Sequence, residues 1–157
     1  MCNFTRYFER TAFFLVLVLV TSCSSYRFNR LEINGEKEHE FKAAGCVSSL
    51  RVVQNETLGS LALQFQLQKG MTVHLNHLKL SLNGELVPVG KVRFRYAGKM
   101  PEGDFTAERN GTFTASLEQN AIANGKHLQL LPSDFITCKA GNLIRETLEI
   151  NTGLPVE

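Results

Sequence analysis

The sequence predicts an all-β domain, an antiparallel β-sandwich, with a small β-barrel as the alternative. Three observations predict it. Apolar and polar residues alternate with a period of two through several short segments, the mark of strands with one buried face. Asn-Gly pairs, strong signals for tight hairpin turns, recur between those segments. No stretch sustains a helical period, and the two helix candidates, Ala43 to Leu50 and Leu117 to Ala123, are short.

Taken in order, Arg30-Leu31-Glu32-Ile33 alternates and runs into the turn signal Asn34-Gly35. The surrounding stretch, Ser24 to about Glu40, is polar and ends in the charge run Glu36-Lys37-Glu38-His39-Glu40. It reads as a solvated tether, residues 23–40, ahead of a domain over 41–157; the alternative is that the segment contains a first strand at Arg30 to Ile33. Leu61, Leu63, Phe65 and Leu67 alternate with Ala62, Gln64, Gln66 and Gln68 to make a full strand. Met71, Val73 and Leu75 continue the alternation, and Leu78, Leu80 and Leu82 resume it on the opposite parity. A change of parity at Asn76-His77 requires a bulge or a break between two strands. Asn83-Gly84 is a hairpin turn, and Val87-Pro88-Val89 belongs at an edge or a strand start because proline cannot donate to a central ladder. Val92, Phe94 and Tyr96 form a strand with Lys91, Arg93 and Arg95 facing out. Gly98, Pro101 and Gly103 make Ala97 to Gly103 a loop. Asn110-Gly111 predicts a hairpin from Phe105 into the alternating Phe113, Ala115 and Leu117; Asn124-Gly125 predicts another ahead of Leu128 and Leu130. Pro132-Ser133-Asp134 is a break, Phe135-Ile136 leads to Cys138, Gly141-Asn142 turns, and Leu143 to Asn151 supplies a last strand.

Thr106-Ala107-Glu108-Arg109-Asn110-Gly111-Thr112-Phe113 resembles the hairpin of transthyretin-like modules, where an acidic residue and Asn-Gly precede an aromatic strand. That resemblance implies the sandwich class alone. An immunoglobulin-like arrangement answers equally well to short strands with regular turns.

The N-terminus carries a different signal. Arg6 and Arg10 precede an unbroken apolar run, Ala12 to Val20, followed by Thr21, Ser22 and Cys23. The charged, apolar, small-residue order is that of a secretory signal, and the run is short of the roughly 20 residues a spanning helix needs. Val20-Thr21-Ser22-Cys23 resembles the lipobox of bacterial lipoproteins. The resemblance implies diacylglycerol on the Cys23 sulfur, cleavage of residues 1–22 and acylation of the new amine. It also implies a membrane anchor in the bacterial cell envelope. Ser24 after the lipid cysteine resembles the default signal for the outer membrane, with the domain facing the periplasm. The plan of lipid, tether and sandwich is similar to that of some type VI secretion lipoproteins.

Loss of Arg6, Arg10 and Glu9 with the signal would take the net charge from +2 to about +1. The remaining Lys and Arg are scattered among acids, which argues against a nucleic-acid partner. Cys2 would leave with the signal and Cys23 would take the lipid. Cys46 and Cys138 then remain, as a disulfide of an oxidising compartment or as two separately buried thiols.

Evidence for chemistry is thin. His74 and His77 point to opposite faces of an unbroken strand; a bulge would bring them together, but no third metal ligand is evident. Glu102, Asp104 and Glu108 gather around one loop and read as solvated. There is no nucleophile elbow, P-loop or dinucleotide fingerprint. The sequons Asn55-Glu56-Thr57 and Asn110-Gly111-Thr112 read as chance matches. No catalytic residue, metal or cofactor is therefore expected. The leading expectation is a non-catalytic module that docks onto another envelope protein. The alternatives are a glycan or small-molecule binder using Tyr96 and Phe105 near the Ala97 to Arg109 loop, and, in third place, a hydrolase.

Overall fold

The computed structural model describes residues 28–55, 59–117 and 127–152. Cys23 and the apolar run before it lie outside the described residues, as do the Asn124-Gly125 turn and nearly all of the helix candidate at Leu117 to Ala123.

The described chain is all-β, with every strand pairing antiparallel. The strands are β1 Phe28–Ile33, β2 His39–Ala43, β3 Cys46–Asn55, β4 Ser60–Leu67, β5 Thr72–Val73, β6 Leu80–Leu82 and β7 Glu85–Leu86. They continue as β8 Val92–Tyr96, β9 Phe105–Thr106, β10 Gly111–Leu117, β11 Leu128–Leu130, β12 Ser133–Cys138, β13 Gly141–Ile144 and β14 Leu148–Asn151. A ten-stranded sheet runs β7-β6-β11-β14-β1-β3-β4-β10-β8, with β2 beside β3. It curls into a half-barrel. A four-stranded sheet, β13-β12-β5-β9, packs against it. Phe135 of β12 meets Phe65, Phe94 and Phe113 of the large sheet at centroid distances of 5.6 to 6.4 Å, so the aromatic core joins the two sheets.

The predicted alternation sets the register. Leu61, Leu63, Phe65 and Leu67 all face inward, as do Phe113, Ala115 and Leu117 opposite them on β10. The strand β1 turns a corner: Phe28 to Leu31 pair with β3, whereas Glu32 and Ile33 pair with β14. Its Leu31 and Ile33 are buried. The first-strand alternative is thus the one found, and the domain boundary expected at residue 41 is corrected, because from Phe28 onward the described segment is part of the domain. The polar composition that suggested a spacer belongs to its outward face and to the turn at Glu36 to Glu38.

Three further expectations are corrected, and the choice between bulge and break after Leu75 is decided. Ala43 to Leu50 is strand, not helix: the chain turns at Ala44-Gly45 and β3 continues inward-facing Leu50 and Val52. The parity change after Leu75 is a break, where a 3₁₀ turn over Leu75–His77 carries the chain from one sheet to the other. Leu143 to Asn151 is two strands, β13 and β14, in different sheets. Lastly, Asn110-Gly111 closes no hairpin. The strand β9 pairs with β5, and β10 pairs with β4 and β8, so this pair sits where the chain crosses between sheets.

The other two Asn-Gly pairs in the described residues are tight turns. Asn34 and Gly35 have φ of 50° and 85°, and Asn83 and Gly84 have 54° and 86°, the left-handed pair that a type I′ turn needs. Each asparagine has a second task. Its Oδ1 accepts the backbone N–H of the neighbouring strand or its lead-in: Glu149 N–H at 2.9 Å for Asn34, His127 N–H at 2.8 Å for Asn83.

A disulfide joins Cys46, at the start of β3, to Cys138, at the end of β12, with the Cα atoms 6.6 Å apart. It ties the two sheets together covalently.

Candidate functional site

The strand β8 ends at Tyr96, and the chain reverses at once. Ala97 and Gly98 take φ of 49° and 81°. Tyr96 and Lys99 exchange backbone hydrogen bonds of 2.9 Å in both directions. The reversal lifts Lys99, Met100 and Pro101 over the end of the sheet. Phe105 enters from the small sheet and meets the Tyr96 ring at 4.9 Å between centroids, tilted 30°. The Tyr96 hydroxyl donates to the Arg109 carbonyl at 2.8 Å, which fixes the ring and anchors the loop that returns to β10.

These groups enclose a cleft of about 500 Å³. Its walls are the Tyr96 and Phe105 rings with Met100 and Pro101; Lys99, Glu108 and Arg109 stand at the rim. Met100 is 66% exposed beside the two half-buried rings. A second hollow of about 410 Å³ adjoins it and shares Tyr96, Ala97 and Arg109, adding Arg95, Thr112 and Thr114.

Gly111 contributes by what it lacks. A Cβ at that position would sit 3.3 Å from Cε2 of the Tyr96 ring. The glycine makes room for an aromatic wall. Its Asn-Gly signature comes from that close approach and from Asn110, whose Oδ1 accepts the Lys69 N–H at 2.8 Å.

Tyr96 and Phe105, singled out from the sequence, are thus brought together. The sequence marks Pro101 only as a loop former and Arg109 only as the loop's end, and Met100 not at all, because a loop rich in Gly and Pro carries no periodic signal. The three acids of that loop separate. Glu108 joins the cleft rim, Glu102 is exposed, and Asp104 turns to the histidines.

His74 and His77 stack at 5.3 Å between centroids, because the 3₁₀ turn between them puts both rings on one side. Asp104 Oδ2 lies 2.9 Å from His74 Nδ1, and Asp134 Oδ1 lies 2.9 Å from His77 Nδ1. Asp104 Oδ1 accepts the Leu75 N–H at 2.9 Å. The hydrogen bond to His74 holds the Asp104 carboxyl below the usual carboxylate value; burial opposes the shift and the Leu75 N–H reinforces it. His74 Nε2 also lies 3.3 Å from Thr137 Oγ1. The order carboxylate, imidazole, hydroxyl is that of a nucleophile and its base. Thr137, however, sits within β12, opposite both Thr72 and Asn142, and neither cleft at Tyr96 reaches it. The cluster ties the loop before β9 to the 3₁₀ turn and to β12. Among the described residues no three His, Cys, Asp or Glu side chains are grouped to hold a metal ion.

On the large sheet's polar side, Glu36, Glu38 and Glu40 line a groove of about 520 Å³ with Ser49 and Gln66. Glu38 is held below its ordinary value by hydrogen bonds from the Ser49 side chain and from Arg51. Arg51 reaches its Oε2 at 2.7 and 2.8 Å.

Searches against protein-family models, curated proteins and solved structures find no match to this chain.

Proposed function

We propose that the chain is a bacterial lipoprotein, held in the envelope membrane by lipid on Cys23, whose β domain binds another envelope protein without catalysing a reaction. The lipobox-like Val20-Thr21-Ser22-Cys23 supports the anchor. The Cys46–Cys138 disulfide supports export, since such bonds persist in oxidising compartments. An outer-membrane anchor with the domain in the periplasm follows from Ser24. The observation that carries the binding half is the cleft at Tyr96, where exposed Met100 and Pro101 frame two aromatic rings inside a charged rim. An apolar centre with a polar rim is the anatomy of a protein-binding patch.

Two measurements test this reading. Cys23→Ala should abolish palmitate labelling and release the protein from membranes; retention of both refutes the anchor. A photo-crosslinking residue at position 100 should yield a discrete covalent partner in intact cells, while one at Leu86, equally exposed at 66%, should not. Absence of any product at position 100 refutes the docking site.

A second reading, glycan or small-molecule binding, draws on the same two rings and on a cleft volume in the usual ligand range of roughly 300–1,000 Å³. A ligand-induced thermal shift that Tyr96→Ala abolishes, with no crosslinked protein, would favour it.

A further inference from the structure

The proposed lipid site and the start of β1 are close in sequence. Only residues 24–27 separate Cys23 from Phe28, the first residue of β1. Five residue steps span at most about 18 Å, about a third of the reach of a tether ending at Glu40. The domain therefore has little freedom to leave the surface that holds its lipid.

Phe28 is 63% exposed although it begins a strand in the interior of a ten-stranded sheet. Arg30, on the same side of the strand, is exposed as well. In sequence, Tyr26 and Arg27 precede them. Aromatic rings favour the boundary between headgroups and acyl chains, and basic side chains favour anionic headgroups. Glu56 and Glu118 follow the strand ends on this side in sequence, so net charge is not the driver. The exposed ring and the short link are.

The register fixes what lies at the other end. Phe28 opposes Asn55, which opposes Ser60 at the start of β4. The far end of β4, Leu67, opposes Gly111, and Tyr96 opposes Phe113 two residues along. Eight residues of β4 make a rise of about 23 Å. The cleft at Tyr96 and the Phe28 end are thus opposite poles of one sheet.

Building on lipidation at Cys23, we infer that the domain rests on the lipid bilayer through Phe28 and presents the Tyr96 cleft about one strand length away from it. The membrane is in this sense a second partner of the folded domain, through a protein surface as well as through the lipid.

The chain contains no tryptophan, so one introduced residue reports alone. The experiment uses full-length lipidated protein carrying Phe28→Trp or Met100→Trp. Each is reconstituted into phosphatidylethanolamine–phosphatidylglycerol vesicles, with and without brominated acyl chains. The emission of the Phe28→Trp protein should shift to the blue and fall about twofold or more with brominated lipid, as for an interfacial ring; that of Met100→Trp should not change. Quenching that is absent at position 28, or equal at both positions, in protein that co-floats with the vesicles overturns the orientation and leaves the anchor standing. Protein that fails to co-float overturns the anchor, and the inference falls with it. Both positions are exposed, so either ring is tolerated; protease resistance of each variant verifies the fold.

Discussion

Replacing Cys46 and Cys138 together with serine removes the covalent tie between the two sheets. The half-cystines are 92 residues apart. For a closed loop of that length, the lost constraint on the unfolded chain amounts to about 4–5 kcal/mol on the chain-entropy account. The native state has little with which to offset it, because β5 and β9 contribute only two residues each to the small sheet. With a urea slope of about 1.5–2 kcal/mol/M, the midpoint should fall by about 2–3 M. Pulse proteolysis of detergent-extracted protein across a urea series measures that midpoint without needing a chromophore. Cys138→Ser alone should lose as much as the double variant, since either change opens the loop. A shift below about 0.5 M would refute the reasoning. It would mean that the aromatic contacts around Phe135 hold the sheets together unaided. The consequence reaches the cleft as well. Cys46 lies at the end of β3 that neighbours the Leu67 end of β4, and Phe105 enters the cleft from the small sheet. Opening the disulfide should therefore also reduce crosslinking from position 100.

Phe135→Ala, which empties a fully buried site among Phe65, Phe94 and Phe113, should cost about 3–5 kcal/mol by the same urea assay. Asn34→Ala should cost about 1–3 kcal/mol, because it loses the hydrogen bond to Glu149 and puts a Cβ without compensation at φ of 50°; Asn34→Gly should recover part of this. Asp104 has a folded-state value below its unfolded one, so its contribution is present above the ordinary carboxylate value of about 3.9 and lost as pH falls through the lower folded value. The stability of Asp104→Asn should accordingly depend less steeply on pH below about 4 than that of the parent, a difference that thermal unfolding across that range reads directly.

The strands with a continuous inward face were legible residue by residue. On β4 and β10, alternation alone identifies the buried set, since a period of two leaves no other face to bury. Two kinds of feature were not legible. One is position in the sheet. The alternation of Leu31 and Ile33 offers a strand, but a short strand between polar turns also has the composition of a spacer, and only its partners β3 and β14 decide between the two readings. The other is the reason for a glycine. Gly35 and Gly84 are there for backbone angle, Gly111 for the Tyr96 ring, and the three share one dipeptide. The cleft was half legible for a related reason. Tyr96 and Phe105 belong to strands and announce themselves, whereas Met100, Pro101 and Arg109 acquire their role from a two-residue reversal at Ala97-Gly98 that composition reads only as loop.

The correction at β1 changes what an anchored domain would be able to do. A spacer from Ser24 to Glu40, reaching about 50–60 Å when extended, leaves a domain free to tumble, so that any face is as available as any other and binding geometry is set by the partner. A link of four residues removes most of that freedom. The attachment point is then the first residue of a central strand, so that end of the sheet stays within about 18 Å of the lipid, and the Phe28 contact inferred above sets the orientation. In such an arrangement a cleft at the opposite end of the same sheet is held at nearly constant height above the bilayer, about 20–25 Å by the rise of β4. A partner anchored in the same membrane would meet it within a narrow layer, where restricted height raises the effective concentration of two sites that match. A weak cleft of modest area can suffice under those conditions. Lengthening the link by ten Gly/Ser residues after Ser24 would leave the lipid, fold and cleft untouched, and should reduce in-cell crosslinking from position 100 if the height matters.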